Sequence, residues 1–161
     1  MGAHELSAAL WRERELLELL LFKLDEEQLL LTAGKTRWLP FATREVEQVL
    51  ERLKTPGLER AAAVTALADE WGVADDATLA ALIAAAPTDA WRDTFAEHQR
   101  ALTSLTGQIA ELRDQNLQFL RSAARSTQET LAGLGIDAGT YDARGTAGAD
   151  IAPGSLLDDQ G

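Results

Sequence analysis

The chain has 161 residues and a formal charge of −11, from 15 basic and 26 acidic side chains. So acidic a surface repels nucleic acid phosphates and anionic headgroups, so neither nucleic acid binding nor membrane insertion is expected. With no cysteine, disulfides, thiolate zinc sites, iron–sulfur clusters and cysteine nucleophiles are excluded together, and a reducing cytoplasm fits. The 29 alanines and 27 leucines, against four valines and four isoleucines, point to an all-α fold and away from a β-sandwich or Rossmann sheet. Met1 to Leu10 shows no basic stretch followed by an apolar core, so no signal peptide is expected, and no apolar run is long enough to span a bilayer.

Residues 5–33 read as one amphipathic helix. Leu6, Leu10, Leu17, Leu20, Leu24 and Leu31 follow a 3/4 spacing, and the two interrupted steps fall at Glu13 and Glu27. Leu16, Leu19, Leu21 and Phe22 widen the apolar face, so the helix is expected to touch more than one neighbour. Gly34 is placed to end it. A second helix is predicted over 36–54, begun by Thr36 as a cap or by Pro40 in the first turn, with Leu39, Ala42, Val46, Val49 and Leu53 on one face. So short a link predicts an antiparallel hairpin, with one kinked helix as the alternative.

Thr55-Pro56-Gly57 reads as a break. Two short Ala-rich helices are then predicted within 59–86, over 59–71 and 76–86 and joined at Gly72. Residues 58–90 carry one Arg against six acids.

The strongest pattern lies in 88–134, predicted to be a single long helix capped by Thr88 or Asp89. Trp91, Phe95, His98, Leu102, Leu105, Ile109, Leu112, Asn116, Phe119 and Ala123 step alternately by four and three, a sustained heptad seam. Leu117, Leu120 and Ala124 give this helix a second apolar side. At ~1.5 Å per residue it would be about 65 Å long, against about 42 and 25 Å for the first two helices, so part of it is expected to stay uncovered. Residues 135–161 are rich in glycine, carry −4 and read as a disordered tail. The architecture expected is an antiparallel bundle of three main helices over 1–134, with a small Ala-rich helical insert and this flexible tail.

Residues that could carry chemistry are few. His4-Glu5 does not start an HExxH zinc motif, because Ala8 stands where the second histidine belongs. His98 lies in the seam and reads as a packed or rim histidine, since Phe95 precludes an E-x-x-H ligand pair. Gly133-Leu134-Gly135 closes a helix and completes no phosphate-binding fingerprint. Asp75-Asp76 reads as a helix-start pair and Asp158-Asp159 lies in the tail. Ala68 to Leu79 resembles a helix-turn-helix, but Asp75 and Asp76 stand where a recognition helix would meet phosphates. No catalytic residue, metal site or cofactor is expected. Asn116 either sets the register of the seam or belongs to a face that serves a partner.

Two stretches carry a family resemblance. Residues 10–53 read LWRERELLELLLFKLDEEQLLLTAGKTRWLPFATREVEQVLERL, and residues 113–134 read RDQNLQFLRSAARSTQETLAGL, followed by Thr140-Tyr141-Asp142 and Gly145. In this order they resemble the FlgN family of flagellar type III export chaperones, in its actinobacterial form. The likeness covers residues 5 to about 145; the insert at 58–90 and Pro40 depart from the simplest members. The resemblance implies a cytosolic, non-enzymatic chaperone. It would bind the terminal helical segments of hook–filament junction proteins, prevent their premature assembly and deliver them to the export gate. It also implies a partner-binding surface at Leu112, Asn116, Leu117, Phe119, Leu120, Ala123 and Ala124, with Tyr141 in the tail. A helical segment lying in a groove between long helices would suit that surface. The rival is a coiled-coil structural adaptor that homodimerises through the seam of the last helix.

Overall fold

A computed structural model describes residues 2–74 and 76–135. They form four α-helices and one 3₁₀ turn: α1 (Gly2–Thr32), the 3₁₀ turn Thr36–Trp38, α2 (Leu39–Glu70), α3 (Leu79–Ala85) and α4 (Asp89–Gly133). No strand occurs among the described residues. Two compact units divide the chain, Met1–Leu120 and Arg121–Gly161.

In the first unit α1 and α2 form an antiparallel hairpin. Gly34 makes the turn at φ +68°, a conformation that a Cβ would strain, and donates to the Leu31 carbonyl at 3.2 Å. Cross-links run the length of the pair. The Gly2 amide donates to Glu70, Arg12 donates to Glu59 at 2.9 Å, and Lys23 donates to Glu45 at 2.8 Å. Arg12–Glu59 is exposed and Lys23–Glu45 half-buried, so these ion pairs fix alignment more than they add stability.

The break predicted at Thr55-Pro56-Gly57 does not occur. α2 runs through it for 32 residues, about 48 Å. An interior proline removes one backbone bond and costs about 3 kcal/mol. Here the ring is buried and lines a cleft with Leu16 and Leu19 of α1. Beyond it Arg12–Glu59 and Glu13–Arg60 tie α2 back onto α1. Docking on both sides of the proline therefore holds one helix, and the segment predicted as a separate helix over 59–71 is its continuation.

Gly72, also at φ +68°, ends α2. The short helix predicted over 76–86 is found as α3, started by the Thr78 hydroxyl accepting from the Ala81 amide at 3.2 Å. Leu82 is fully buried and Leu79 and Ile83 pack beside it, so α3 closes the core and presents no recognition helix. Thr88 starts α4 by accepting from the Trp91 amide at 3.3 Å.

α4 lies parallel to α1 in this unit and antiparallel to α2. His4 meets Trp91 edge-on, Trp11 meets His98 edge-on, and Gln28 donates to Gln115. On the other side Trp71 packs on Phe95, while Val46, Val49 and Leu53 pack in a cluster with Ile109 and Leu112. Two apolar clusters result. One holds Ala3, Leu6, Leu10, Leu67, Ala68, Leu82 and Phe95; the other is built on Leu20, Leu24 and Val49.

In the second unit residues 121–133 are helical, and every residue from 121 to 135 is exposed, Leu131 and Leu134 included. The tail expected from 135 onward lies outside the described residues after Gly135.

Replacing Pro56 by Ala restores a helical bond and removes a buried ring worth about 1–2 kcal/mol. The first effect is the larger. We expect P56A to raise the urea midpoint by an amount equivalent to about 1 kcal/mol; a lower midpoint would show that packing of the ring dominates.

Candidate functional site

The seam predicted on α4 is spent within the chain as far as Asn116. Phe95, His98, Leu105 and Asn116 are buried, and Trp91, Leu102, Ile109 and Leu112 are half-buried. Its two polar members sit in two polar layers of the bundle, which involve the two acids that interrupt the leucine pattern of α1.

The first layer surrounds His98. Arg14 donates to its Nδ1 at 3.2 Å, and Ser7 Oγ lies 3.2 Å from Nε2. A guanidinium only donates, so Nδ1 carries the lone pair and Nε2–H donates to the serine. Burial lowers the His98 pKa first, and the Arg14 charge lowers it further. Close by, Glu13 faces Arg60 at 3.0 Å, an ion pair without hydrogen-bond alignment. Burial raises the Glu13 pKa, and Arg60 partly opposes this.

The second layer is a single node that joins three helices. Asn116 of α4 donates from Nδ2 to the Leu24 carbonyl at 2.9 Å and to Glu27 Oε1 at 3.1 Å. Thr43 of α2 donates to Glu27 Oε2 at 3.1 Å. Asn116 is only 2% exposed and Glu27 6%. Of the two readings of Asn116, the geometry matches the one that sets register. Its amide nitrogen is engaged inside the bundle, and its Oδ1 is buried there without a partner.

The remaining residues of the predicted surface divide around it. Leu112 packs on the Leu20–Leu24–Val49 cluster and also lines a cleft of about 260 Å³ between α1 and α4, with Leu21, Asp25, Gln108, Glu111 and Gln115. Leu117 and Phe119 are exposed, at 43% and 41%, and Leu120 is half-buried. At about 100° per residue, Leu117 and Phe119 lie on opposite flanks of the Asn116 line, about 160° apart. Phe119 continues the row of Gln108, Leu112 and Gln115 at helical spacing, and so belongs to the α1 side. Leu117 belongs to the other side. Ala123 and Ala124 fall in the second unit, where both are exposed. Tyr141 lies outside the described residues.

Other exposed apolar side chains stand outside this surface. Phe22 and Leu29 on α1, Trp38 before α2, and Phe41, Leu50 and Leu58 on α2 are each about half exposed or more. The widened apolar face of α1 predicts a further neighbour for Phe22, and the structure leaves it 58% exposed. The others carry no periodic signal, because isolated apolar residues on a solvent face do not disturb a 3/4 pattern. Among the described residues no group of three or more His, Asp or Glu is placed to hold a metal, and no helix is long and apolar enough to cross a membrane.

A helical hairpin closed by one long helix, with its seam buried up to an asparagine and apolar side chains exposed beyond, is the arrangement on which the family comparison bears. The FlgN protein family model matches residues 1–149, nearly the whole chain. The chain belongs to the FlgN family. This is a family of flagellar export chaperones, and a flagellar protein is therefore the kind of partner it implies. Comparison with curated proteins and with solved structures gives no match. In this FlgN-family chain the described site is a helical surface.

The His98 layer gives a pH dependence with a definite sign. Its folded pKa lies below the ordinary value of 6.5, so the unfolded chain takes up the proton first as pH falls. His98 therefore has no linkage effect above about pH 6.5 and destabilises the fold progressively below it, until its folded pKa is passed. Glu13 acts in the opposite sense in its own window above 4.5. The stability difference between wild type and H98Q should shrink from pH 7.5 to 5.5 in paired urea titrations; a constant difference would place no proton-linked strain at this layer.

Proposed function

We propose that the chain binds the terminal helical segments of hook–filament junction proteins in the cytoplasm, keeps them from assembling early, and delivers them to the export gate. Family membership supports the class of activity. The observation that carries the site is the exposure of Leu117 and Phe119 on α4 immediately after Asn116, the last buried residue of the seam.

The proposed surface is Phe119 with Leu120 and the α1–α4 cleft walled by Leu21 and Leu112, with Leu117 as a separate contact on the opposite flank of α4. Covering Phe119 and Leu120 contributes about 2–3 kcal/mol before association costs. A micromolar complex needs about 8 kcal/mol net. The segment must therefore lie along the cleft as well, as an amphipathic helix does in a groove. Asn116 and the buried side of Leu112 then act by positioning α4, not by touching the partner. Ala123 and Ala124 of the second unit, and Tyr141, belong to the proposal as further contacts of the same partner. The rival adaptor would need the seam for a second copy, and that seam is occupied within the chain from Trp91 to Asn116.

Sedimentation velocity with terminal fragments of junction proteins tests this. A 1:1 complex is expected, weakened about tenfold or more by Phe119→Asp and by Leu120→Asp. Leu58→Asp, on a 73% exposed leucine of α2, should leave it intact. A complex indifferent to F119D and L120D would remove the proposed surface.

A further inference from the structure

The turn between α1 and α2 is chemically unlike the rest of the chain. Residues 28–44 contain Lys35, Arg37 and Arg44 and no acid, so this segment carries +3. The remainder therefore carries −14, from −11 less +3. All three cations are exposed, and none forms an ion pair among the described residues. The acids that bracket the segment are engaged elsewhere. Glu27 is buried in the Asn116 node, and Glu45 is held by Lys23 at 2.8 Å.

Large apolar side chains stand among these cations. Trp38 is 48% and Phe41 57% exposed; their rings lie 5.8 Å apart, and the Arg37 guanidinium sits 4.8 Å over the indole. Beside them Thr36, Leu39, Pro40, Thr43, Arg44 and Glu47 line a shallow cavity of about 410 Å³. It offers an aliphatic floor, the Thr36 hydroxyl and the Arg44 guanidinium, with the Thr43 hydroxyl committed to Glu27 and the Glu47 carboxylate in the lining. Carboxylates of a peptide meet Arg44, and its bulky apolar side chains meet the floor. The fold does not need these residues. Trp38, Phe41, Lys35, Arg37 and Arg44 belong to neither apolar cluster and form no cross-helix hydrogen bond.

We infer that this turn is a docking surface for an acidic peptide segment of a partner protein, one carrying aromatic or aliphatic side chains between its carboxylates. Charge complementarity selects the sign of the partner, and the Trp38–Phe41 pair with the adjoining cavity selects its apolar content. A short peptide fits better than an anionic bilayer. A peptide can lay its acids against Lys35, Arg37 and Arg44 and keep them off Glu47, whereas a bilayer is an extended plane that also repels Asp25, Glu26 and Glu47. The surface is separate in sequence from the α4 face proposed for junction-protein segments and stands independently of it.

The test uses the full chain and three probes. The first is a labelled synthetic peptide of about twelve residues, alternating Leu and Phe with Asp and Glu. The second has Lys in place of each acid, and the third is a vesicle with about 30% phosphatidylglycerol. Fluorescence anisotropy should show binding of the acidic peptide. Affinity should fall about tenfold in R37Q/R44Q and comparably in W38A/F41A, and weaken with added salt. Both variants change exposed side chains, so an unchanged thermal melt is expected and checks folding. Equal binding of the lysine peptide, binding of the acidic peptide that survives both variants, or binding to vesicles without binding to the acidic peptide would each overturn the inference.

Discussion

The bundle depends on a glutamate side chain that is almost wholly buried. Glu27 of α1 is 6% exposed, and it accepts from Asn116 of α4 and Thr43 of α2. An acid buried in that way is tolerable only while its partners hold position. Asn116 also donates to the Leu24 carbonyl, so a shift of α4 along α1 breaks two bonds and leaves a buried acid short of a donor. Apolar stripes alone permit slippage by a turn; a polar node of this kind does not. Register is thereby fixed among all three long helices at one point, and the positions of Leu117, Phe119 and Leu120 follow from it.

The same logic recurs about four to five turns further up the bundle. His98 is wedged between Ser7, Trp11 and Arg14, and Glu13 faces Arg60. Apolar and polar layers therefore alternate: the Leu6–Leu10–Phe95 cluster, the His98 layer, the Leu20–Leu24–Val49 cluster, then the Glu27 node. For a carrier of apolar segments this division is useful. The polar layers set which α4 residues face inward, so the apolar side chains that remain outside are held on a rigid helix and not in a loop. The overall acidity then keeps such a molecule soluble.

Much of this could be read from the residues. The 3/4 spacing of α1 and the heptad seam of α4 place both helices within a few residues of their ends, and Gly34 and Thr88 mark boundaries of α1 and α4 through backbone and capping chemistry. Glu13 and Glu27 stood out as gaps in one stripe, and His98 and Asn116 as polar members of another. What the pattern could not show is that these gaps meet each other, because side-chain pairing across helices has no local signature. Pro56-Gly57 misled for a related reason. The helix-breaking preference is local, whereas the docking of Val49 and Leu53 before it and of Glu59 and Arg60 after it is tertiary. The family resemblance placed Asn116 on the binding surface, and only its hydrogen bonds to α1 show that its side chain is committed inside.

Hydrogen exchange on α4, with and without a junction-protein terminal fragment, tests the central claim most directly. In the free chain the amides of residues 95–116 should exchange slowly and those of 117–120 faster, since packing on α1 and α2 is the source of protection. Added fragment should slow exchange at 117–120 while leaving 95–116 unchanged. A complex that forms with its new protection confined to α3 or to the first turns of α1 would contradict the account, because the exposed flanks of Asn116 would then not be the surface the partner covers.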